Sequence, residues 1–164
     1  MSSQMSIGIE ASELSQIVAS VFETMMGLEV WCDEADWTPG TDRMTATVHL
    51  TGDWNGALLV ECDQRQACIL AGRFLSMEVP ETVDDVVRDV LGEIANMVGG
   101  NLKCIMTSGI RLSMPTVVDG SSYAMRICGS DVCERLSFAC EAGRFWITAL
   151  ETPESTVPRP QPSV

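Results

Sequence analysis

Positive charge, aromatic rings and histidine are all scarce in this sequence. Ten Lys and Arg stand against 23 Asp and Glu, for a net charge of −13. A surface of that sign repels nucleic acid and anionic lipid at long range, which discounts both as partners. No apolar run approaches the roughly 18 residues that a membrane-spanning helix needs. The first residues, Met1-Ser-Ser-Gln-Met-Ser6, lack the basic-then-apolar layout of a signal peptide, so a cytoplasmic protein is expected. The single histidine, His49, lies in an alternating run without acidic or metal-binding neighbours. No Ser–His or Cys–His nucleophile can be built around it, and no P-loop or dinucleotide-binding glycine pattern occurs.

The seven cysteines, at 32, 62, 68, 104, 128, 133 and 140, are odd in number and include no C-x-x-C pair. That pattern argues against a disulfide framework or a zinc site. Reduced, metal-free thiols are expected, with Cys62, Cys128 and Cys140 packing as small hydrophobes in strand-like runs.

What the chain does have is apolar content, 46% over 164 residues, enough for the core of one compact domain. That domain is placed at residues 1–152. Residues 153–164, with Pro153, Pro158, Pro160 and Pro162, read as a disordered tail.

Helical periodicity runs from Glu10 to Met26 through Leu14, Ile17, Val18, Val21, Phe22 and Met25, with Gly27 as the stop. Strands are predicted at Leu28–Cys32, Arg43–Thr51 and Ala57–Cys62, the last two joined by a hairpin in which Asn55 and Gly56 take positive φ. Asp63 caps a helix to about Ser76, with Ala67, Leu70, Ala71, Phe74 and Leu75 inward. Thr82 is the predicted N-cap of a long helix reaching about Met106. Strands follow at Gly109–Ser113, Thr116–Val118, Ser122–Cys128, Val132–Cys140 and Arg144–Glu151. Strands and helices in blocks define an α+β fold, with helices packed on antiparallel β-sheet.

The long helix carries the chemistry. At about 100° per residue, Asp89, Glu93, Asn96 and Gly100 fall on one narrow stripe. Val83, Val87, Val90, Leu91, Ile94, Val98 and Ile105 take the opposite side and supply the core contact. Gly92, Gly99 and Gly100 read as lying on or beside the stripe, where each costs roughly 0.5–1 kcal/mol relative to alanine. Their expected return is a low surface that another backbone can approach, with Met97 and Val86 as its apolar edge.

The segment Asp89-x-x-x-Glu93-x-x-Asn96-x-x-x-Gly100 resembles the signature helix of the CheC/CheX/FliY chemotaxis phosphatases, which act on phosphorylated CheY. Gly52-Asp53-Trp54-Asn55-Gly56, with its following strand and the helix from Asp63, resembles the upstream half of a CheX domain. Ser113-Met-Pro-Thr-Val-Val-Asp-Gly120 resembles the segment after the signature helix, so the likeness spans roughly residues 43 to 150. CheC-like members carry two such helices. Here Glu13 and Gln16 on the first helix have no matching asparagine, and the single copy favours the CheX branch.

The resemblance implies a CheC/CheX-like fold and a hydrolase of two-component signalling that removes phosphate from a CheY-like response-regulator receiver domain. It gives Glu93 the role of docking to the receiver's active-site lysine and Asn96 that of orienting the attacking water. Asp89, Gly92, Met97 and Gly100 become supporting or partner-contact residues. It also implies a homodimer, for which exposed sheet edges offer a route. The chemistry is consistent with this. An acyl phosphate is already activated, and the Asn96 amide offers both acceptor and donors with which to hold a water in line. It cannot act as a base near neutral pH, and no covalent intermediate on this chain is required. No cofactor is expected in this chain, and the Mg²⁺ that offsets phosphoryl charge belongs to the receiver. The alternative is a non-catalytic CheX-like adaptor that docks on receivers.

Overall fold

A computed structural model describes residues 9–34, 36–106, 109–120 and 131–152, with 131–133 described by backbone alone. The predicted strand at Ser122–Cys128 and the tail from Pro153 fall outside these residues. The chain runs α1 (Ala11–Met26), β1 (Val30–Cys32), β2 (Arg43–Gly52), β3 (Gly56–Asp63), α2 (Gln64–Leu75), α3 (Asp85–Ile105), β4 (Ile110–Leu112), β5 (Thr116–Asp119), β6 (Asp131–Cys140) and β7 (Gly143–Glu151). Three helices pack on a seven-stranded antiparallel sheet of order β1-β6-β7-β3-β2-β4, with β5 also paired to β2. This is the α+β arrangement read from the sequence.

Period-two alternation selects the face that meets the helices. Met44, Ala46, Val48 and Leu50 on β2, Leu58, Val60 and Cys62 on β3, and Phe145 and Ile147 on β7 join the helices in one core. Phe22 of α1 stacks on Phe145 at 4.5 Å, and Phe145 on Phe138 at 5.3 Å, so three rings tie α1 to the sheet. The other face is also buried and is mixed in character, a small apolar cluster of Ala57, Leu59 and Leu150 lying beside polar residues. Thr45, Thr47, Glu61 and Thr148 lie there fully covered, with Glu61 paired to Arg43 at 3.0 Å.

Helix ends differ from expectation in instructive ways. Gly27 does end α1, in the left-handed conformation at φ 64°, donating its N–H to Glu23. Asp84, not Thr82, is the N-cap of α3, and its Oδ1 accepts the Val87 N–H at 3.0 Å. A carboxylate serves better there because it also complements the positive end of the helix dipole. Asp63 occupies the α2 cap position, yet its Oδ1 accepts the Gly40 N–H at 2.7 Å and ties down the loop before β2 instead.

The β2–β3 connection is not the predicted Asn-Gly turn. Gly52 alone takes positive φ there, at 127°, and the Asn55 side chain accepts the Gly52 N–H. Gly56 is required for space: a Cβ on it would lie 2.3 Å from the Trp54 ring and 2.1 Å from the Leu150 carbonyl. Trp54 in turn donates its indole N–H to Glu151 at 2.9 Å, closing this end of the sheet.

Candidate functional site on the third helix

Helix α3 has two contrasting sides. Val87, Val90, Leu91, Ile94, Ala95, Val98 and Leu102 are buried, a row that holds the helix on the sheet along most of its length. Asp89 and Glu93 are exposed on the other side, and Asn96 is half-buried one turn further on. Three residues of helix separate Glu93 from Asn96, a rise of about 4.5 Å. No side chain of Asp89, Glu93 or Asn96 is hydrogen-bonded or ion-paired with a described residue, whereas the neighbouring Asn101 spends its amide on the Met97 carbonyl at 2.8 Å. The polar stripe therefore has its hydrogen-bonding capacity directed outward.

The glycines behave otherwise than the sequence suggested. Gly92 and Gly99 are buried, and only Gly100 keeps partial exposure. A Cβ on Gly92 would sit 3.3 Å from the Pro115 ring, and one on Gly99 would sit 2.8 Å from Val48. The groups that approach them are the chain's own side chains, Pro115 and Val117 beside Gly92 and Val48 and Leu112 beside Gly99. Gly92 and Gly99 let α3 settle against β2, β4 and β5, so Gly92 does not shape an outward surface. Gly100 has only Leu112 near its missing side chain, at 3.9 Å, and remains available to a partner. Met97 is half-buried against the core rather than forming an outer edge, while Val86 is exposed. Ile105, read as core, is exposed, lining a surface groove with Glu13, Gln16 and Ile17 of α1; Leu102 fills the inward position instead.

Packing fixes the stripe from both flanks. Leu112 touches the Gly99–Gly100 turn and Pro115 touches Gly92, so residues 112–115 run antiparallel beside α3 between those two levels. Ser113 holds this segment to β2, donating its N–H to the His49 carbonyl and accepting the His49 N–H, both at 2.9 Å. His49 thus contributes backbone, as a structural strand residue. Arg88 forms a two-point ion pair with Asp119 of β5, at 2.7 and 2.8 Å, which fastens the first half of α3. The bond to Asp119 raises the Arg88 pKa still further.

On the opposite flank a groove of about 320 Å³ opens between the end of α2 and the start of α3. It is lined by Phe74, Leu75, Val86, Val90, Asp89 and Glu93. Sequence periodicity assigned Leu75 to the interior, yet it is 45% exposed. It is the last residue of α2, where the chain turns away through Ser76 in the left-handed conformation.

Among the described residues, no group of three or more His, Cys, Asp or Glu side chains could hold a metal ion. Cys32, Cys62, Cys68, Cys104 and Cys140 are free thiols. Burial first, then nearby Asp63, Cys68 and Glu61, pushes the Cys62 thiol far above its ordinary pKa. Cys68 is raised by burial and by Asp84. Neither is a nucleophile near neutral pH.

The architecture is shared with solved CheX structures. The chemotaxis protein CheX from Vibrio vulnificus superposes with a TM-score of 0.71 at 21% identity, over 91% of this chain and 98% of that one. CheX from Desulfovibrio desulfuricans gives 0.67 at 21% identity, over 90% and 99%. A chain of the CheX–CheY–BeF3–Mg²⁺ complex from Borrelia burgdorferi gives 0.65 at 17% identity, over 88% and 99%. No curated protein matches the sequence significantly. The family model for the chemotaxis phosphatase CheX matches residues 44–139, more than half of the chain. The chain belongs to that family, within the wider CheC/CheX/FliY group.

Proposed function

We propose that this protein hydrolyses the aspartyl phosphate of a CheY-like receiver domain, with Glu93 and Asn96 as its working pair. The observation that carries the proposal is the stripe itself: a carboxylate and an amide, one turn apart, unspent within the chain, on a helix locked into the core. Glu93 pairs with the receiver's active-site lysine and sets the docking. Asn96 holds a water through its carbonyl oxygen while its N–H donors reach a phosphoryl oxygen. The water attacks phosphorus, the phosphorus–oxygen bond to the receiver aspartate breaks, and the carboxylate leaves without any intermediate on this chain. Mg²⁺ belongs to the receiver's own site, and the chain works in the cytoplasm, where receivers are found. The relation to the Borrelia burgdorferi CheX, solved with CheY, supports a receiver as the partner. Dimer formation through a sheet edge, such as the three-residue β1, belongs to the same reading.

The test is incubation with a panel of phosphorylated receivers, following phosphate release, with sedimentation for the assembly state. Release that Asn96→Ala abolishes supports the reading. Tight binding without release identifies a non-catalytic adaptor. A phosphorylated form of this chain would overturn the mechanism.

A further inference from the structure

The groove beside Glu93 has no role in positioning water, yet it shares two residues with the stripe. Asp89 and Glu93 form its rim, and Phe74, Leu75, Val86 and Val90 form its floor and wall. Leu75 and Val86 keep 45% and 41% of their surface in solvent, an uncommon placement for large aliphatic side chains side by side. On the Gly92–Gly99 flank of the stripe, Met114 is 86% exposed in the segment between Leu112 and Pro115. A polar pair is thus bracketed by apolar surface on both flanks.

We propose that the groove is the affinity-determining pocket for the receiver and takes an apolar receiver side chain flanked by a basic one, with Met114 packing on the far flank. This rests on the receiver-phosphatase reading of Glu93 and Asn96. Two observations select the occupant. The groove is continuous with the stripe, so a partner whose cation reaches Glu93 must lay adjoining residues over Val86 and Leu75. Its lining also contains two carboxylates and no basic group, which suits an apolar tip with a positive shoulder. A second copy of this chain, at net charge −13, would bring like charge to that rim.

The division of labour is therefore spatial: the amide accelerates, the groove holds. Such a division separates kcat from KM. Leu75→Ser/Val86→Ser should raise KM for the phosphorylated receiver, and Kd for a receiver loaded with beryllofluoride and Mg²⁺, by about tenfold, with kcat nearly unchanged. Met114→Ser should act in the same direction, more weakly. Met77→Ser, equally exposed but outside the groove, serves as the control. Thermal melting of each variant excludes unfolding as the cause.

If the wild-type chain releases phosphate but the double variant keeps its KM and Kd within about twofold, the groove proposal fails and the phosphatase reading stands. If the wild type binds the loaded receiver without releasing phosphate, the catalytic reading fails, and the variant's Kd still decides the groove. A change in self-association without a change in Kd assigns the groove to a second copy and overturns the proposal. Failure of the wild type to bind any loaded receiver overturns both.

Discussion

Glu93 and Asn96 are neighbours on one helix, but their removal should be felt in different measurements. On the proposed mechanism Asn96 contributes orientation, so Asn96→Ala should keep receiver affinity and lose about 10²–10³ in rate, as when one transition-state hydrogen bond is removed. Glu93→Ala should weaken docking too. Loss of one partner from a desolvated ion pair costs roughly 2–5 kcal/mol, against about 0–1 kcal/mol for an exposed pair. Both variants should melt within about 0.5 kcal/mol of wild type, since neither side chain supports the core. Phosphate release, affinity and melting on the same preparations separate the two roles. The cysteines divide by burial instead. Cys32 and Cys104 are exposed, whereas Cys62, Cys68 and Cys140 are buried, so peptide-mapped labelling without denaturant should modify the first two well before the other three.

Among the elements, α3 was the most legible in sequence and also the most misleading in detail. Its polar stripe and its buried row follow from a helical period sustained over five turns, which no strand could imitate. The glycines could not be placed in that way, because a residue without a side chain carries no polarity to show which side it faces. What places Gly92 and Gly99 is the return of residues 112–117 along the helix, a tertiary contact invisible in local pattern. Leu75 and Ile105 failed for a related reason: hydrophobic periodicity continues to a helix end whether or not a neighbouring element covers that residue. Asn55 and Gly56 looked like a turn pair, but crowding by the Leu150 carbonyl and the Trp54 ring, not positive φ, is what calls for glycine at 56.

The contrast between adjacent glycines gives a test at this scale. Gly99→Ala drives a methyl into Val48, a β-branched core residue with little freedom to yield, and should destabilise by about 1–3 kcal/mol. Gly100→Ala meets nothing closer than 3.9 Å and should stabilise by about 0.5–1 kcal/mol through helix propensity. Chemical denaturation reads both. Any loss of receiver affinity in Gly100→Ala would then mark Gly100 as room reserved for the partner.

For the whole molecule, the excess of carboxylates sets the response to salt. Self-repulsion at net charge −13 opposes the compact state, and raising ionic strength from about 0.01 M to 0.15 M shortens the screening length from about 30 to 8 Å. The melting temperature should therefore rise over that range, as calorimetry would show. The opposite trend would mean that the few ion pairs, such as Arg88 with Asp119 and Arg43 with Glu61, outweigh the repulsion. The general α+β plan was legible because blocks of strand and helix periods alternate cleanly. The buried polar residues around Glu61 were not, since a carboxylate inside an apolar strand gives no sign of the arginine on the neighbouring strand that pairs with it.

The helix that presents Glu93 and Asn96 outward is the same one that buries Val87, Leu91, Ile94, Val98 and Leu102 inward. The polar face and the core are two sides of a single rod, capped by Asp84 and clamped by Arg88 and by the 112–115 segment. On such a rod the polar face and the core are expected to be lost together. Activity lost on heating should coincide with global melting, and an earlier loss would reveal a hinge in α3. If the two losses coincide and the proposed activity holds, a cell controls the signal through the number of copies it makes and the lifetime of each. The protein would then act as a timer set by its abundance.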